Sequence, residues 1–214
     1  MSNIAVVIPT IRPESMKTFM AAWNPLFEKH RVVLITVHDG TVPTVHAIHY
    51  DIDARGRGLN QMTPPMTPPM TAVEVMGDAA ESLTNFNAGI RNLGFAYAAK
   101  YLPNIEYFIT LDDDEDPIGD TIQDHLDALS MRVPVSWMST ASEYMRGFPY
   151  AVRSEAEVVL SHGVWEGVAD WDAPTQLVLG GTRPVTFYRG PIPKGIYYPM
   201  CIMNIAFKRK MLPT

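Results

Sequence analysis

One cysteine, Cys201, is all that 214 residues contain, which excludes an intramolecular disulfide and any cysteine-rich zinc module. A lone thiol suits a reducing compartment. Basic residues are also scarce: 17 Lys+Arg stand against 23 Asp+Glu, a formal net charge of −6 at pH 7. A dedicated nucleic-acid binder draws its affinity from clustered cations on phosphates, so no nucleic-acid partner is expected. There is no run of about 18 apolar residues, and the long uncharged stretch Leu59 to Val73 is interrupted by four prolines, so no membrane span is expected. Apolar Ile4 to Ile8 follow Met-Ser-Asn directly, without the basic n-region of a secretory leader. The sequence reads as a soluble, cytoplasmic protein.

What is present is a core-forming composition. Hydrophobic residues make up 47% of the chain and charged ones 19%, and the length favours one α/β domain with insertions. Ile4 to Pro9 and Val32 to Val37 are short, β-branched apolar runs that predict buried strands. Between them, Met16, Phe19, Met20, Trp23 and Phe27 form a helical stripe over Glu14 to His30, with a break or kink expected near Pro25. Strand, helix, strand makes a right-handed βαβ unit, whose loops gather at the carboxyl ends of the strands, where ligands bind. From Thr41 to Val73 the pattern decays into the repeat Met62-Thr-Pro-Pro-Met66-Thr-Pro-Pro-Met70-Thr, which predicts an extended surface excursion. Leu83, Phe86, Ile90, Leu93 and Tyr97 then predict a single helix from Ala79 to about Tyr101. Tyr107 to Leu111 reads as a strand, Asp120 to Leu129 as a helix and Val133 to Trp137 as a short strand. The last third is rich in Gly, Pro and aromatics, which suits loops folded over a site.

Three aspartates, Asp112, Asp113 and Asp114, follow the strand ending at Leu111. Adjacent carboxylates repel, so a strand end tolerates them where a cation or donors offset the cost. If the strand persists, Asp112 and Asp114 face one way and Asp113 the other. One carboxylate can then hold a ribose hydroxyl while another reaches a hard divalent ion. Mg²⁺ or Mn²⁺ held by one or two carboxylates and by diphosphate oxygens is the expected arrangement. An acidic turn capping the next helix is the alternative. Upstream, Asn87-Ala-Gly-Ile-Arg91-Asn92-Leu-Gly94-Phe95 falls on the preceding helix, where two glycines imply a close approach of backbone or ligand. Arg91 is the candidate partner for phosphate or carboxylate; otherwise it pairs on the surface with Glu81 or a similar residue.

These residues resemble glycosyltransferases of the A-type fold, in which an Arg-Asn-x-Gly helix precedes an apolar strand ending in aspartates. Further motifs sharpen the likeness: Pro9-Thr10-Ile11-Arg12, His38-Asp39-Gly40, Arg91-x-x-Gly94-Phe95, Asp112-Asp113-Asp114 and Arg146-Gly-Phe-Pro-Tyr-Ala-Val-Arg153. Ser161-His162-Gly-Val-Trp165, Asp170-Trp-Asp172-Ala-Pro-Thr-Gln176, Pro193-Lys194-Gly195 and Pro199-Met-Cys-Ile-Met-Asn204-Ile-Ala-Phe207 follow. In this order they resemble the reversibly glycosylated polypeptides, the UDP-arabinopyranose mutase family, over almost the whole chain.

The resemblance implies a GT-A-like α/β fold: a mostly parallel sheet flanked by helices, with a Rossmann-like nucleotide-binding half and a loop-rich C-terminal third. A single domain, 1–214, is expected, with 1–117 as the nucleotide-sugar-binding half and 118–214 as the sugar or acceptor side. Family members continue well beyond the position of Thr214, so the second half is expected to be incomplete at its carboxyl end. The implied activity is that of a cytosolic, metal-dependent mutase that interconverts pyranose and furanose forms of a UDP-sugar and can be reversibly glycosylated by it. Asp112 and Asp114 then stand as ligands for Mn²⁺ or Mg²⁺. Pro9, Thr10, Arg12, Asp39, Arg91, Asp112, Asp113, His162, Trp165, Lys194 and Asn204 stand as contacts to the UDP-sugar. Arg146 and Arg153 look like the family's arginine pair, one implicated in self-glycosylation, although the default role of a guanidinium is to clamp diphosphate or stabilise departing UDP.

Ring contraction must break the bond to UDP, reopen and reclose the sugar, and keep water out. Loops near Trp165, Trp171 and Tyr197 can serve the last need. Asp170 and Asp172 are candidate acid–base or sugar-hydroxyl groups, or turn formers before Ala-Pro. Glu115-Asp116-Pro117 departs from the apolar continuation that the family usually shows after the triplet.

Other signals are weaker. His46-Ala-Ile-His49 with Asp51 reads as a surface feature of an irregular segment and not as a zinc site. Gly56-Arg-Gly58 lacks the third glycine of a dinucleotide fingerprint. Cys201 sits in an apolar context that suits core better than nucleophile. Two rivals to the mutase remain: a transferase that passes sugar to an external acceptor, and a non-catalytic nucleotide-sugar binder. Thirteen methionines are compatible with a homo-oligomer, although methionine more often fills cores.

Overall fold

Strand β1 (Ile4–Thr10) runs through the middle of a seven-stranded sheet because Ile4 to Ile8 are all apolar and buried on both faces. The computed structural model describes residues 2–50, 68–83, 86–134, 147, 155–163, 173–179, 190, 192 and 200–212. β2 (Val33–His38) and β5 (Tyr107–Thr110) lie parallel to β1 on either side. Beyond β2, the sheet continues antiparallel through β3 (Thr44–His49) and β4 (Met70–Thr71). Beyond β5 it continues through β9 (Ile205–Lys208) and β8 (Leu160–His162), giving the order β4-β3-β2-β1-β5-β9-β8. The expected α/β, GT-A-like architecture is present as a mixed sheet whose parallel part is its centre. A separate ribbon pairs β6 (Arg132–Pro134) with β7 (Glu155–Glu157).

Helices cover both faces. Val6 and Ile8 pack with α1 (Pro13–His30) and α4 (Thr121–Ser130); Ala5 and Val7 pack with α2 (Ala72–Met76) and α3 (Arg91–Tyr101). A short helix, α5 (Ala173–Leu179), takes up the Ala-Pro-Thr-Gln motif, with Pro174 in its first turn where a missing N–H is harmless. Among the described residues no helix is long and apolar enough to cross a membrane.

Three sequence expectations change. α1 continues through Pro25 without ending, because Phe19, Trp23 and Phe27 are buried and stack in series, with centroids 5.4 and 5.8 Å apart. Burying three rings, at about 1.5–3 kcal/mol each, outweighs the roughly 3 kcal/mol cost of an interior proline. The segment after Thr41 does not simply decay: β3 pairs along its length with β2, and His46 lies on it beside Thr36. The single helix expected from Ala79 to Tyr101 is instead broken, with 3-10 turns at Gly77–Ser82 and Ala88–Ile90 and Phe86 between them in the left-handed region at φ 58°. Its apolar spacing is genuine, but Phe86 is turned outward while its N–H is drawn to Asp39. Of the strand expected at Val133 to Trp137, the first part belongs to β6; Trp137 and its neighbours lie outside the described residues.

Candidate functional site

The strand order reverses at β1: the chain passes from β1 to β2 on one side and later returns to β5 on the other. Open α/β sheets bind ligands in the crevice outside the carboxyl ends of the strands at such a switch point. Antiparallel pairing brings more of the chain to the same edge. Ile205, the first residue of β9, stands opposite Thr110, the last of β5, and His162, the last of β8, stands opposite Ile205.

At the end of β5 the strand does not persist into the aspartates, so the expected alternation of Asp112 and Asp114 against Asp113 does not hold. The triplet turns instead, and each carboxylate finds its own environment. Asp113 is only 4% exposed, a burial a carboxylate tolerates only when its oxygens are bonded. Thr10 donates its hydroxyl to Asp113 Oδ2 at 2.6 Å, and Arg12 forms an ion pair with Oδ1. The same Nη2 of Arg12 reaches Asp114 Oδ2 at 3.1 Å, and hydrogen bonds to Asp113 and then Asp114 raise the pKa of the guanidinium. Asp114 itself is exposed at the turn.

Asp112 pairs with Arg91, the first residue of α3. Arg91 therefore does not pair on the surface with Glu81. Its side chain is buried; desolvation lowers its pKa, against the opposing fields of Glu115, Cys201 and Asp113. A guanidinium remains protonated under such a shift. Glu115, which the sequence singled out only as a departure, is part of the turn: its carboxylate accepts the Asp112 N–H at 3.0 Å and its carbonyl accepts Trp23 Nε1–H at 2.7 Å.

Past the end of β2, the N–H of Asp39 bonds to the Thr10 carbonyl at 3.1 Å, and its Oδ2 accepts the Phe86 N–H at 2.7 Å. Asp39 Oδ1 is buried with no hydrogen-bond partner among the described residues. Such an orphaned acceptor costs about 1–3 kcal/mol unless a ligand satisfies it. Pro9 lies next to the end of β1, opposite Val37.

On the far side of the edge, His162 Nε2 accepts the N–H of Cys201 at 3.3 Å. Asn204 adopts a left-handed φ of 51°, which its short amide tolerates, and its carbonyl accepts the Gly163 N–H at 2.8 Å. Pro9, Thr10, Arg12, Asp39, Arg91 and the three aspartates are thus gathered at one edge, with His162 and Asn204 along it. Arg146, Arg153, Trp165, Asp170, Asp172 and Lys194 lie outside the described residues, as do Trp171 and Tyr197. Sequence reasoning missed His125, whose place on the apolar stripe of α4 between Ile122 and Leu129 was the available signal.

Among the described residues no three His, Cys, Asp or Glu side chains are placed to hold a metal ion together. Mg²⁺ and Mn²⁺ in nucleotide sites need only one or two carboxylates beside phosphate oxygens. The all-oxygen donors of Asp112 and the exposed Asp114 fit that mode; Asp113, with both oxygens engaged, does not.

The family model "Reversibly glycosylated polypeptide" matches residues 1–214. The chain belongs to the reversibly glycosylated polypeptide family. Among similar curated proteins are UDP-arabinopyranose mutase 3 of Arabidopsis thaliana, 29% identical over 98% of this chain, and UDP-arabinopyranose mutase 1 of the same plant, 28% identical over 98%. UDP-arabinopyranose mutase 1 of Oryza sativa subsp. japonica is 27% identical over 98% of the chain. The chain spans 57% of the length of the first and third of these relatives and 58% of the second. No solved structure matches. Within the reversibly glycosylated polypeptide family, this chain therefore carries an edge built around two arginine–aspartate pairs.

Proposed function

We propose that this reversibly glycosylated polypeptide binds a UDP-sugar in the crevice between the carboxyl ends of β1 and β5 and interconverts its pyranose and furanose forms, acting as a cytoplasmic UDP-arabinopyranose mutase. The observation that carries the proposal is the pair of arginines, Arg12 and Arg91, each held by aspartates at the topological switch point. Diphosphate is the ligand such a fixed pair of cations suits, because two guanidiniums can spread charge over its oxygens as the sugar departs. Among the described residues only Nη2 of Arg12 is engaged by carboxylates, which leaves its other N–H groups to meet phosphate. Asp113 acts as the brace of Arg12, not as a ligand contact. The orphaned Oδ1 of Asp39 is an acceptor suited to the imide N–H of uracil. Asp112 and Asp114 would hold Mn²⁺ or Mg²⁺, which supplies positive charge to the diphosphate of departing UDP.

Incubation with UDP-arabinopyranose and Mn²⁺ tests this, with nucleotide-sugars separated by chromatography and the protein followed by intact mass. UDP-arabinofuranose is expected, falling at least about tenfold in Asp114→Asn. A sugar-sized mass increment would support self-glycosylation. Sugar passed to an added acceptor without furanose product would overturn the mutase in favour of a transferase. Binding of UDP without turnover would leave a binding protein.

A further inference from the structure

Helix α4 buries Ile122, His125 and Leu129, so His125 occupies a position in an apolar stripe where an aliphatic side chain is the ordinary choice. It is 3% exposed, and a buried imidazole must have both ring nitrogens bonded. Nδ1 lies 2.9 Å from Ser161 Oγ on β8, and Nε2 lies 2.9 Å from Asn204 Oδ1. An amide oxygen only accepts, so Nε2 carries the proton, and Nδ1 of the neutral ring accepts the Ser161 hydroxyl. Burial lowers the pKa of the ring; the Asn204 bond and Asp124 oppose this and His162 adds to it, which agrees with a neutral ring.

The consequence falls on Asn204. With Oδ1 fixed to His125, Nδ2 must point away, toward Gly163, where a Cβ would collide with the amide. No hydrogen bond among the described residues uses Nδ2. Asn204 immediately precedes Ile205, which pairs with Thr110 two residues before Asp112, so the unused donors lie along the ligand edge. Ser161 and Gly163, on either side of His162, bind the same assembly.

We propose that His125 is a positioning residue that locks the Asn204 carboxamide, so that its Nδ2 donors meet an oxygen of the bound nucleotide-sugar; this rests on the ligand assignment above. His125→Phe keeps a ring and removes both nitrogens. His125→Gln supplies one donor and one acceptor again. Asn204→Gly removes the amide without straining the left-handed backbone.

The affinity for UDP-arabinopyranose with Mn²⁺ is measured by calorimetry beside kcat, KM and Tm. His125→Phe is expected to weaken binding about tenfold, the size of one lost hydrogen bond, and to raise KM more than it lowers kcat. His125→Gln should restore affinity to within about threefold. In the Asn204→Gly background, His125→Phe should change affinity no further. Equal losses in both backgrounds, or a lowered Tm with unchanged affinity, would overturn the proposal. Ser161→Ala, which removes the Nδ1 partner and should act in the same direction, takes over if His125→Phe does not fold. If the wild type binds no UDP-arabinopyranose, the ligand assignment fails by itself. The lock is then decided by the Asn204 side-chain amide resonance: displaced in His125→Phe and restored in His125→Gln if it exists, unmoved in both if it does not.

Discussion

At Gly94, α3 packs directly onto the sheet. A Cβ there would lie 2.5 Å from Val7 Cγ1 and 3.1 Å from Val37 Cγ2, both buried among their own neighbours. Gly94→Ala would gain up to about 1 kcal/mol of helix propensity but force an overpacked contact costing about 1–3 kcal/mol. The net expectation is a lower Tm, by about 2–4 °C per kcal/mol for a chain of this size, read by circular dichroism. A Tm at or above wild type would show that α3 can move off the sheet. Such a shift would also disturb the site, because Arg91 lies three residues earlier on the same helix. The sequence made Gly94 legible, since a glycine inside a helical pattern signals close approach. Asp113 was not legible in the same way. Its spacing identifies a carboxylate at a strand end, but whether it holds a ligand or an arginine depends on Arg12, about a hundred positions away in the chain.

Elements are joined here by side chains that serve two helices at once. Asp120 caps α4 by accepting the Gln123 N–H at 3.1 Å, and it also takes Lys29 and His30 from the last turn of α1, His30 at 2.8 Å. Burial works to raise the pKa of Asp120, but the bonds from Lys29, Gln123 and His30 together lower it. A depressed carboxylate stabilises the fold above its unfolded pKa of about 3.9, and that contribution disappears as pH falls through the folded value. Asp120→Asn keeps the cap and removes the charge. It is therefore expected to be less stable by about 1 kcal/mol at pH 7, a gap that closes as the pH is lowered toward 3. Urea melts at both pH values check this, and an undiminished gap at pH 3 would refute the charge as its source. The element pattern itself was largely readable where apolar periodicity was strong, as in β1, α1, β2 and β5. It failed where tertiary demands overrode local spacing, as at Phe86, whose N–H goes to Asp39, and along β3, where Thr44, His46 and His49 at half-buried positions hide a strand.

At the scale of the whole molecule, the arrangement concentrates charge at one edge and pairs the three aspartates after β5 with arginines. β1, β2 and β5 direct their carboxyl ends to one edge, and the antiparallel pairing of β9 with β5 brings Asn204, the residue before β9, to it. Arginines on a loop and on a helix then balance the aspartates between them. Positive groups paired in this way are ordered before a ligand arrives, so binding a diphosphate should add stability without first reorganising the edge. A ligand present at a hundred times its Kd stabilises the native state by about 2.7 kcal/mol, which corresponds to about 5–10 °C in Tm for a chain of this length. UDP with Mn²⁺ is expected to produce a rise of that order at saturation, and UDP alone a smaller one, because Arg12 and Arg91 do not need the ion. In Asp114→Asn the extra rise from Mn²⁺ should vanish while the rise from UDP alone persists. A Mn²⁺ increment of unchanged size in that variant would remove Asp114 from the metal site. Loss of both rises would mean instead that the turn carrying Asp114 is what holds Arg12 in place.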